Sequence, residues 1–302
     1  MKIRIAVLLA THNGGKYISQ QLDSIIRQKG NYTIDIFLSD DSSYDNTLNI
    51  CQKKKYKKSI KKIFKVNFGS FSKNFLNLLK NVPKNYNYYC FCDQDDIWIK
   101  SKFKRAIKKL DKNISLYCSR TILVNEDLKI IGHSPLFKKT PSFENALVQS
   151  IAGGNTMVFN RKILKTLLKF KVYDAPSHDW LLYIITTAIG EKVFYDKIAT
   201  VLYRQHDSNL VGTNNKIKDK IKRIFLLING KFKLWSKIHI KIIDKNLNFL
   251  TQKNKETYWH FKKIRSNRFY FFKCVLNGQL RIYRQTLLAQ IALVIGLLFR
   301  LI

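Results

Sequence analysis

The 302 residues are 46 % hydrophobic and 13 % aromatic, enough to fill one large core or two modest ones, which excludes a disordered polymer. The formal charge of +35, from 55 Lys and Arg against 20 Asp and Glu, exceeds what solubility needs and points to polyanions: nucleic acid, an anionic bilayer or phosphorylated substrates. Lysine is abundant throughout, so where the charge sits is more informative than its sum. Five cysteines at positions 51, 90, 92, 118 and 274 lack metal-ligand spacing and read as reduced thiols.

In chain order, Ile3 to Ala10 is a short apolar run suited to a strand buried on both faces, ending in the turn formers Thr11-His12-Asn13-Gly14-Gly15. Arg4 within that run and the lack of a long apolar stretch give no expectation of a signal peptide. Tyr17, Ile18, Leu22, Ile25 and Ile26 recur at helical spacing, and Lys29-Gly30-Asn31 closes that helix. Thr33 to Ser39 reads as a second strand with Asp40-Asp41-Ser42-Ser43 as its exit turn, followed by a helix over about 45–57. Ile63 to Val66 is a third strand, and Phe71, Phe75, Leu78 and Leu79 mark a third helix. The run Tyr88-Tyr89-Cys90-Phe91-Cys92 is a fourth strand, delivering Asp93-Gln94-Asp95-Asp96 just before a helix that starts near Ser101. This alternation argues for an α/β chain built on a mostly parallel sheet flanked by helices.

Further on, Ser115 to Ser119 and Thr121 to Val124 look like strands, and Asn125-Glu126-Asp127 like a turn. Pro135 and Pro141 bracket a loop, and Phe143 to Val148 begins a short helix. Gly153-Gly154-Asn155 precedes a strand over Thr156 to Phe159, and Arg161 to Leu168 reads as a helix. Ser177-His178-Asp179-Trp180 opens an apolar helix through Ala188. Strands at Val193 to Tyr195 and Ile198 to Tyr203 end in Arg204-Gln205-His206. From Thr213 onward about 20 Lys or Arg face about 3 Asp or Glu, interleaved with large apolar residues, a pattern of basic amphipathic helices at a membrane surface. Thr286 to Ile302 is apolar apart from Gln290 and Arg300; its 17 residues sit at the bottom of the ~17–25 needed to span, so in-plane anchoring is preferred to spanning. A helical subdomain packed on the rest of the chain is the other reading. The organisation expected is thus 1–212 and 213–302.

Ligands of open α/β sheets bind at the carboxyl ends of the strands, where the turns at Thr11-Asn13, Asp40-Asp41 and Asp93 to Asp96 all fall. Each alone reads as a capping turn; together they converge on one crevice. The carboxylates of the third turn repel one another unless a cation joins them, and a hard divalent metal, Mg²⁺ or Mn²⁺, shared with substrate phosphates suits oxygen ligands.

Six segments carry a resemblance covering about residues 5–212: Ala10-Thr11-His12-Asn13-Gly14, Ser39 to Thr47, Asp93-Gln94-Asp95-Asp96-Ile97-Trp98, Gly153-Gly154-Asn155-Thr156, His178-Asp179-Trp180 and Tyr203-Arg204-Gln205-His206. In this order they resemble the inverting family 2 nucleotide-sugar glycosyltransferases of GT-A fold, especially the bacterial rhamnosyltransferase-like branch. The resemblance implies nucleotide binding by Thr11, Asn13, Asp40, Asp41 and Asp93, with Asp40 accepting from a pyrimidine N–H. It implies a divalent cation on Asp95 and Asp96, and Asp179 as the base that activates the acceptor hydroxyl. For Asp179, burial beside Trp180 would raise the pKa while the helix N-terminus favours the anion; the simpler reading is a first-turn acid. Gly153, Gly154, Asn155, His178 and Trp180 would meet the acceptor or donor sugar, and Arg204 and His206 the diphosphate. Arg204 as a surface charge and His206 as a turn residue remain open.

The resemblance further implies transfer of rhamnose or another hexose from a dTDP- or UDP-sugar to a polyprenyl-diphosphate-linked acceptor in O-antigen or other cell-envelope polysaccharide synthesis. The basic tail would hold the enzyme on the cytoplasmic face of the plasma membrane. Two rivals share features with this reading. A metal-dependent nucleotidyltransferase would need a Gly-rich basic phosphate loop that Thr11 to Lys16 only partly supplies, and neither a dinucleotide glycine pattern nor a P-loop is present. A nucleic-acid-binding protein would explain the charge, but no such module is recognisable and no nucleic acid is expected as partner.

Overall fold

A computed structural model of the chain describes residues 2–172, 174–206 and 229–302. Its first half alternates strands and helices: β1 (Ile3–Thr11), α1 (Ile18–Ile26), β2 (Tyr32–Asp41), the short α2 (Thr47–Cys51) and α3 (Lys54–Lys57), β3 (Ile60–Val66), α4 (Phe71–Asn81) and β4 (Tyr88–Cys92). Then come β5 (Ile97–Trp98), α5 (Lys102–Leu110), β6 (Leu116–Val124), β7 (Ile130–His133), α6 (Phe143–Ala146), β8 (Val158–Asn160), α7 (Arg161–Lys169), α8 (His178–Ala188) and β9 (Val193–Arg204). Four helices follow: α9 (Lys231–Asp244), α10 (Gln252–Ser266), α11 (Arg268–Leu276) and α12 (Leu287–Leu298).

The strands form one sheet in the order β3-β2-β1-β4-β8-β6-β9-β5, with β7 against β6. β1 pairs in parallel with both β2 and β4, so Thr11 lies beside Asp40 and the turns after all three strands open on the same edge. β8 enters antiparallel between β4 and β6, and β6 resumes parallel pairing with β9.

β1 is buried on both faces because its residues alternate between two cores: Ala6 and Leu8 enter one, Ile5, Val7 and Leu9 the other. Each of the larger ones, Ile5, Val7, Leu8 and Leu9, contributes roughly 1.5–3 kcal/mol by leaving water. Helix starts follow local chemistry: Ser70 and Ser177 accept from Lys73 N and Trp180 N at the heads of α4 and α8. α4 stops before Pro83, whose ring disfavours helical geometry at Val82.

Several elements differ from the sequence reading. The two strands expected within 115–124 are the single β6, and the two within 193–203 are the single β9. Polar residues at Arg120 and at Asp196-Lys197 interrupt the alternation, while a register shift between Ser119 and Thr121 absorbs the break as a bulge. The helix expected over 45–57 starts at Thr47, where Asp45 accepts from Thr47 N at 2.9 Å, and breaks in two at Lys53, whose backbone is extended. β5 and β7 were too short to show a period. β5 has the larger consequence: it pairs Ile97 with Leu202 and Trp98 with Val201, laying the acidic turn beside the end of β9.

The C-terminal helices are helical as expected, and they bury one face against the rest of the chain. Ile242, Ile243, Phe261, Ile264, Phe271 and Leu293 join the same core as Ala6 and Leu8. Asn254 Nδ2 donates to Thr187 O and Ala188 O at 2.8 and 2.9 Å, tying α10 to the end of α8. The expected boundary at 212/213, and Gly212 where the resemblance ends, lie outside the described residues.

Candidate active site at the carboxyl edge of the sheet

The turns after β1 and β2 are stitched together by side chains bonding to backbone. Asn13 N donates to Ser43 Oγ at 2.8 Å, Tyr44 N to Asn13 Oδ1 at 3.0 Å, and Gly15 N to Asp45 Oδ2 at 2.8 Å. Asp40, almost wholly buried, accepts from Thr11 Oγ1 at 2.6 Å and from Ser43 Oγ and N at 2.6 and 3.0 Å. Gln94 joins the third turn to the first like an added peptide unit: His12 N donates to its Oε1 at 2.8 Å, and its Nε2 donates to His12 O at 2.9 Å. Gly14 lies against that amide, where any Cβ would collide with it.

In the acidic turn the carboxylates have different surroundings. Asp93 is partly buried, and its pKa is pushed up to about 8 by burial first and then by Asp95 and Asp179, with Lys102 working the other way. Asp95 is partly exposed and meets His206 Nε2 at 2.9 Å. Asp96 is fully buried; its Oδ2 accepts from Asn155 Nδ2 at 2.6 Å and its Oδ1 from Arg204 N at 3.3 Å. Burial and the two neighbouring carboxylates hold it well above the usual carboxylate range.

Asp179 lies in the first turn of α8. Its Oδ2 accepts from Gly154 N at 3.1 Å and its Oδ1 from Trp180 N at 2.6 Å, with Ser177 Oγ a further donor. Burial raises its pKa to about 6, against the pull of those backbone amides. Such a carboxylate is ionised at neutral pH yet basic enough to take a proton from a hydroxyl as that proton is released. The adjacent residues Gly154 and Asn155 therefore bond Asp179 and Asp96 respectively, so one short turn fixes the α8 carboxylate relative to the acidic turn.

This placement corrects several sequence expectations. Asp96, taken as a metal ligand, has both oxygens occupied and no exposure, so it braces Asn155 and β9 from behind. Asp41, expected at the nucleotide, accepts from Phe68 N, Gly69 N and Ser70 N and shapes the loop before α4. His178 and Trp180, expected at a sugar, are in the core. The His178 ring stacks on Phe75 at 3.8 Å, with burial driving its pKa down to about 3, and Trp180 Nε1 donates to Ala146 O at 2.7 Å. Arg204, expected at the diphosphate, is buried over the Tyr17 ring, its guanidinium donating to Asp95 O, Glu126 O and Gln20 Oε1. Asp40, expected to meet the base, is likewise buried with both oxygens taken, so it and Thr11 brace the first two turns from behind. The structure brings together Asn13, Asp93, Asp95, Asp179 and His206, with Gly153 exposed at the rim and Gly154 and Asn155 beneath it.

Sequence reasoning missed Lys102. It is fully buried, donates to Asn155 O at 2.6 Å and lies 4.5 Å over the Trp98 ring. Burial lowers its pKa to about 8, while Cys90, Cys92, Asp96 and Asp93 favour its charge. One signal was available: Lys102, Ala106 and Leu110 stand at i, i+4 and i+8 of α5, so this lysine occupies the apolar stripe.

Among the described residues no three His, Cys, Asp or Glu side chains form a ready-made metal cage. The partly exposed Asp93 and Asp95, with His206, still fit a hard cation, because Mg²⁺ and Mn²⁺ commonly take one or two carboxylates and draw their other ligands from phosphate and water. The crowding that raises Asp93 is relieved when a cation is bound.

A mostly parallel GT-A sheet carrying acidic turns on its carboxyl edge defines a glycosyltransferase, and the chain belongs to glycosyl transferase family 2, whose model matches residues 6–168. It is 39 % identical over 237 residues to the dTDP-rhamnosyl transferase RfbG of Shigella flexneri, covering 73 % of this chain and 79 % of that protein. It is 23 % identical over 221 residues, 72 % of this chain and 83 % of the relative, to the Escherichia coli WfaP, a UDP-Glc:alpha-D-GlcNAc-diphosphoundecaprenol beta-1,3-glucosyltransferase. In fold it is similar to residues 1–349 of S. aureus TarS in complex with UDP-GlcNAc, with TM-score 0.54, 16 % identity and coverage of 85 % and 78 % of the two chains. A mannosyltransferase of Pyrobaculum calidifontis in complex with GDP-Man and Mn²⁺ gives TM-score 0.52 at 12 % identity over 93 % and 85 %. Family membership sets aside the nucleotidyltransferase and nucleic-acid readings.

Proposed function

We propose that this glycosyltransferase moves a hexose, rhamnose foremost, from a dTDP- or UDP-sugar to a lipid-linked oligosaccharide, with inversion, during synthesis of a surface polysaccharide such as an O-antigen. The single observation that carries the reading is the Gly154-Asn155 turn, which bonds the Asp179 carboxylate with one residue and the acidic turn with the next. Leaving group and base must be held in one geometry for an in-line displacement, and a shared rigid turn supplies that. The choice of rhamnose and dTDP follows the similarity to RfbG, and the lipid-linked acceptor follows the diphosphoundecaprenol substrate in the name of WfaP.

In this reading Asp40, buried with both oxygens taken by Thr11 and Ser43, braces the turns that border the nucleoside rather than meeting the base itself. Asn13 and the backbone of its turn border the nucleoside. Asp93 and Asp95 would hold Mg²⁺ or Mn²⁺, which when bound acts as a Lewis acid on the departing nucleoside diphosphate. His206 orients Asp95 from the β9 side. Asp179 accepts the proton of the attacking hydroxyl, and Gly153, exposed and without a side chain, lets a sugar ring approach. The test is a screen of dTDP- and UDP-sugars with Mn²⁺ for nucleoside diphosphate release and mass analysis of lipid-linked products. Release of dTDP from dTDP-rhamnose above every UDP-sugar is the expected result; product formed only from a UDP-hexose would overturn the choice of donor.

A further inference from the structure

We propose that α11 and α12 form an interfacial surface that seats the enzyme in the plane of an anionic bilayer, with two apolar helix faces entering the headgroup region. Ordinary surface helices are apolar toward the core and polar toward water; these two are apolar on both sides. On α12 the inner residues Leu293 and Leu297 are buried, while Leu288, Ile291, Ile295 and the following Phe299 face outward at intervals of three and then four residues. On α11 Phe271 and Cys274 are buried, while Phe269, Phe272 and Leu276 face outward, Phe269 with 89 % of its surface exposed. Nine of the twenty exposed large hydrophobic side chains of the described residues fall within 268–302. A concentration of that kind marks a docking surface rather than ordinary surface scatter.

The chain leaving α12 is tied to the last turn of α10, just before α11 begins: Arg265 Nε donates to Ile302 O at 3.1 Å and Arg300 Nη2 lies 3.5 Å from Ser266 O.

Charge decides the occupant. From 257 to 302 the sequence has eight Lys or Arg and no Asp or Glu, and Lys263, Arg268, Lys273, Arg281 and Arg300 are exposed around the apolar faces. A second copy of this chain would bring cation against cation within a Debye length of roughly 10 Å, whereas an anionic lipid surface gains on the order of 1 kcal/mol per basic residue brought near it. Spanning is not the mode: no helix of the described residues is long and apolar enough to cross a membrane, and the 12 residues of α12 reach only about 18 Å against the ~30 Å of the hydrocarbon core.

The surface is coupled to the site. Arg284 Nε donates to Val148 O at 3.0 Å and Gln285 N to Gln149 Oε1 at 2.8 Å, so the segment leading into α12 is bonded to the chain that enters Gly153. The use of this coupling, presenting Gly153 and Asp179 to an acceptor on a lipid carrier, rests on the proposed function; the docking does not.

The experiment is flotation of the full chain with phosphatidylglycerol/phosphatidylcholine vesicles against phosphatidylcholine alone. The wild type is expected to float with the anionic vesicles. A variant carrying Phe269→Ser, Leu276→Ser, Leu288→Ser and Ile295→Ser should lose about tenfold or more of that partition with Tm unchanged, since all four are exposed. A second variant, Lys273→Glu with Arg281→Glu, should lose the preference for anionic vesicles. A wild type that stays soluble, or variants that float as it does, would overturn the proposal, as would sedimentation velocity showing a dimer that the four-residue variant abolishes. Flotation with no nucleoside diphosphate release from any donor would leave the docking standing and remove the proposed function.

Discussion

Asp179 and Asp93 are both partly buried and both raised in pKa, but for different reasons. Asp179 is raised to about 6 by burial, and what opposes the shift is a set of backbone amides. Asp93 is the neighbouring carboxylate that repels it, and burial remains the larger cause. Asp93 is raised by burial and by two other carboxylates, with only the buried Lys102 opposing. The first environment suits the proton acceptor of the proposed function. The second is a concentration of negative charge with too little cation, which a divalent ion would complete. In the proposed function similar burial serves a base in one place and a cation seat in the other, according to whether amide dipoles or like charges dominate the surroundings.

The largest expected effect tests the first half of that contrast. Asp179→Asn keeps the size of the side chain and removes its basicity, so transfer should fall by about 10²–10⁴, while donor affinity measured calorimetrically stays near that of the wild type. Retained turnover would assign the base elsewhere. Asp95→Ala addresses the second half. Its metal-dependent donor affinity should fall by about 10–100-fold, and chelation of the wild type should reproduce the loss. Equal affinity of wild type and variant with and without Mn²⁺ would deny the acidic turn its cation. The smallest effect is in the pH profile. The base acts ionised, and the ionised fraction grows as pH rises through about 6, so kcat/KM should drop about tenfold per pH unit below that value and level off above it. An acidic limb near the ordinary carboxylate range instead would mean that burial does not govern Asp179 during the reaction.

How much was legible in the chain follows from the range of each signal. β1 and β4 were readable because an unbroken apolar run between turn formers has few other solutions, and the three acidic or polar turns followed from the strand ends. The first-turn position of Asp179 was legible in the chain, and with it the opposition of burial and backbone amides. What could not be read was direction. His178 and Trp180 sit in the same motif as Asp179, yet a helical advance of about 100° per residue turns both into the core, where His178 stacks on Phe75. Arg204 stands in a motif expected at a diphosphate, but pairing of β5 with β9 draws it inward to the backbone of Asp95. Lys102 was one cation among many until α5 packed it under the acidic turn.

By itself, then, the amino-acid order determined the α/β class, the alternation of strands and helices, the family, and the set of polar turns from which a site could be made, since these depend on periodicity and on residue type within a few positions. Tertiary structure alone decided which carboxylates stay accessible, which are consumed as braces, and that Gly154 and Asn155 join the two acidic regions. Those outcomes depend on hydrogen bonds across separations of 25 residues from Gly154 to Asp179 and 59 from Asp96 to Asn155. A side chain's role there is set by the partner that folding brings to it and by the water that folding removes.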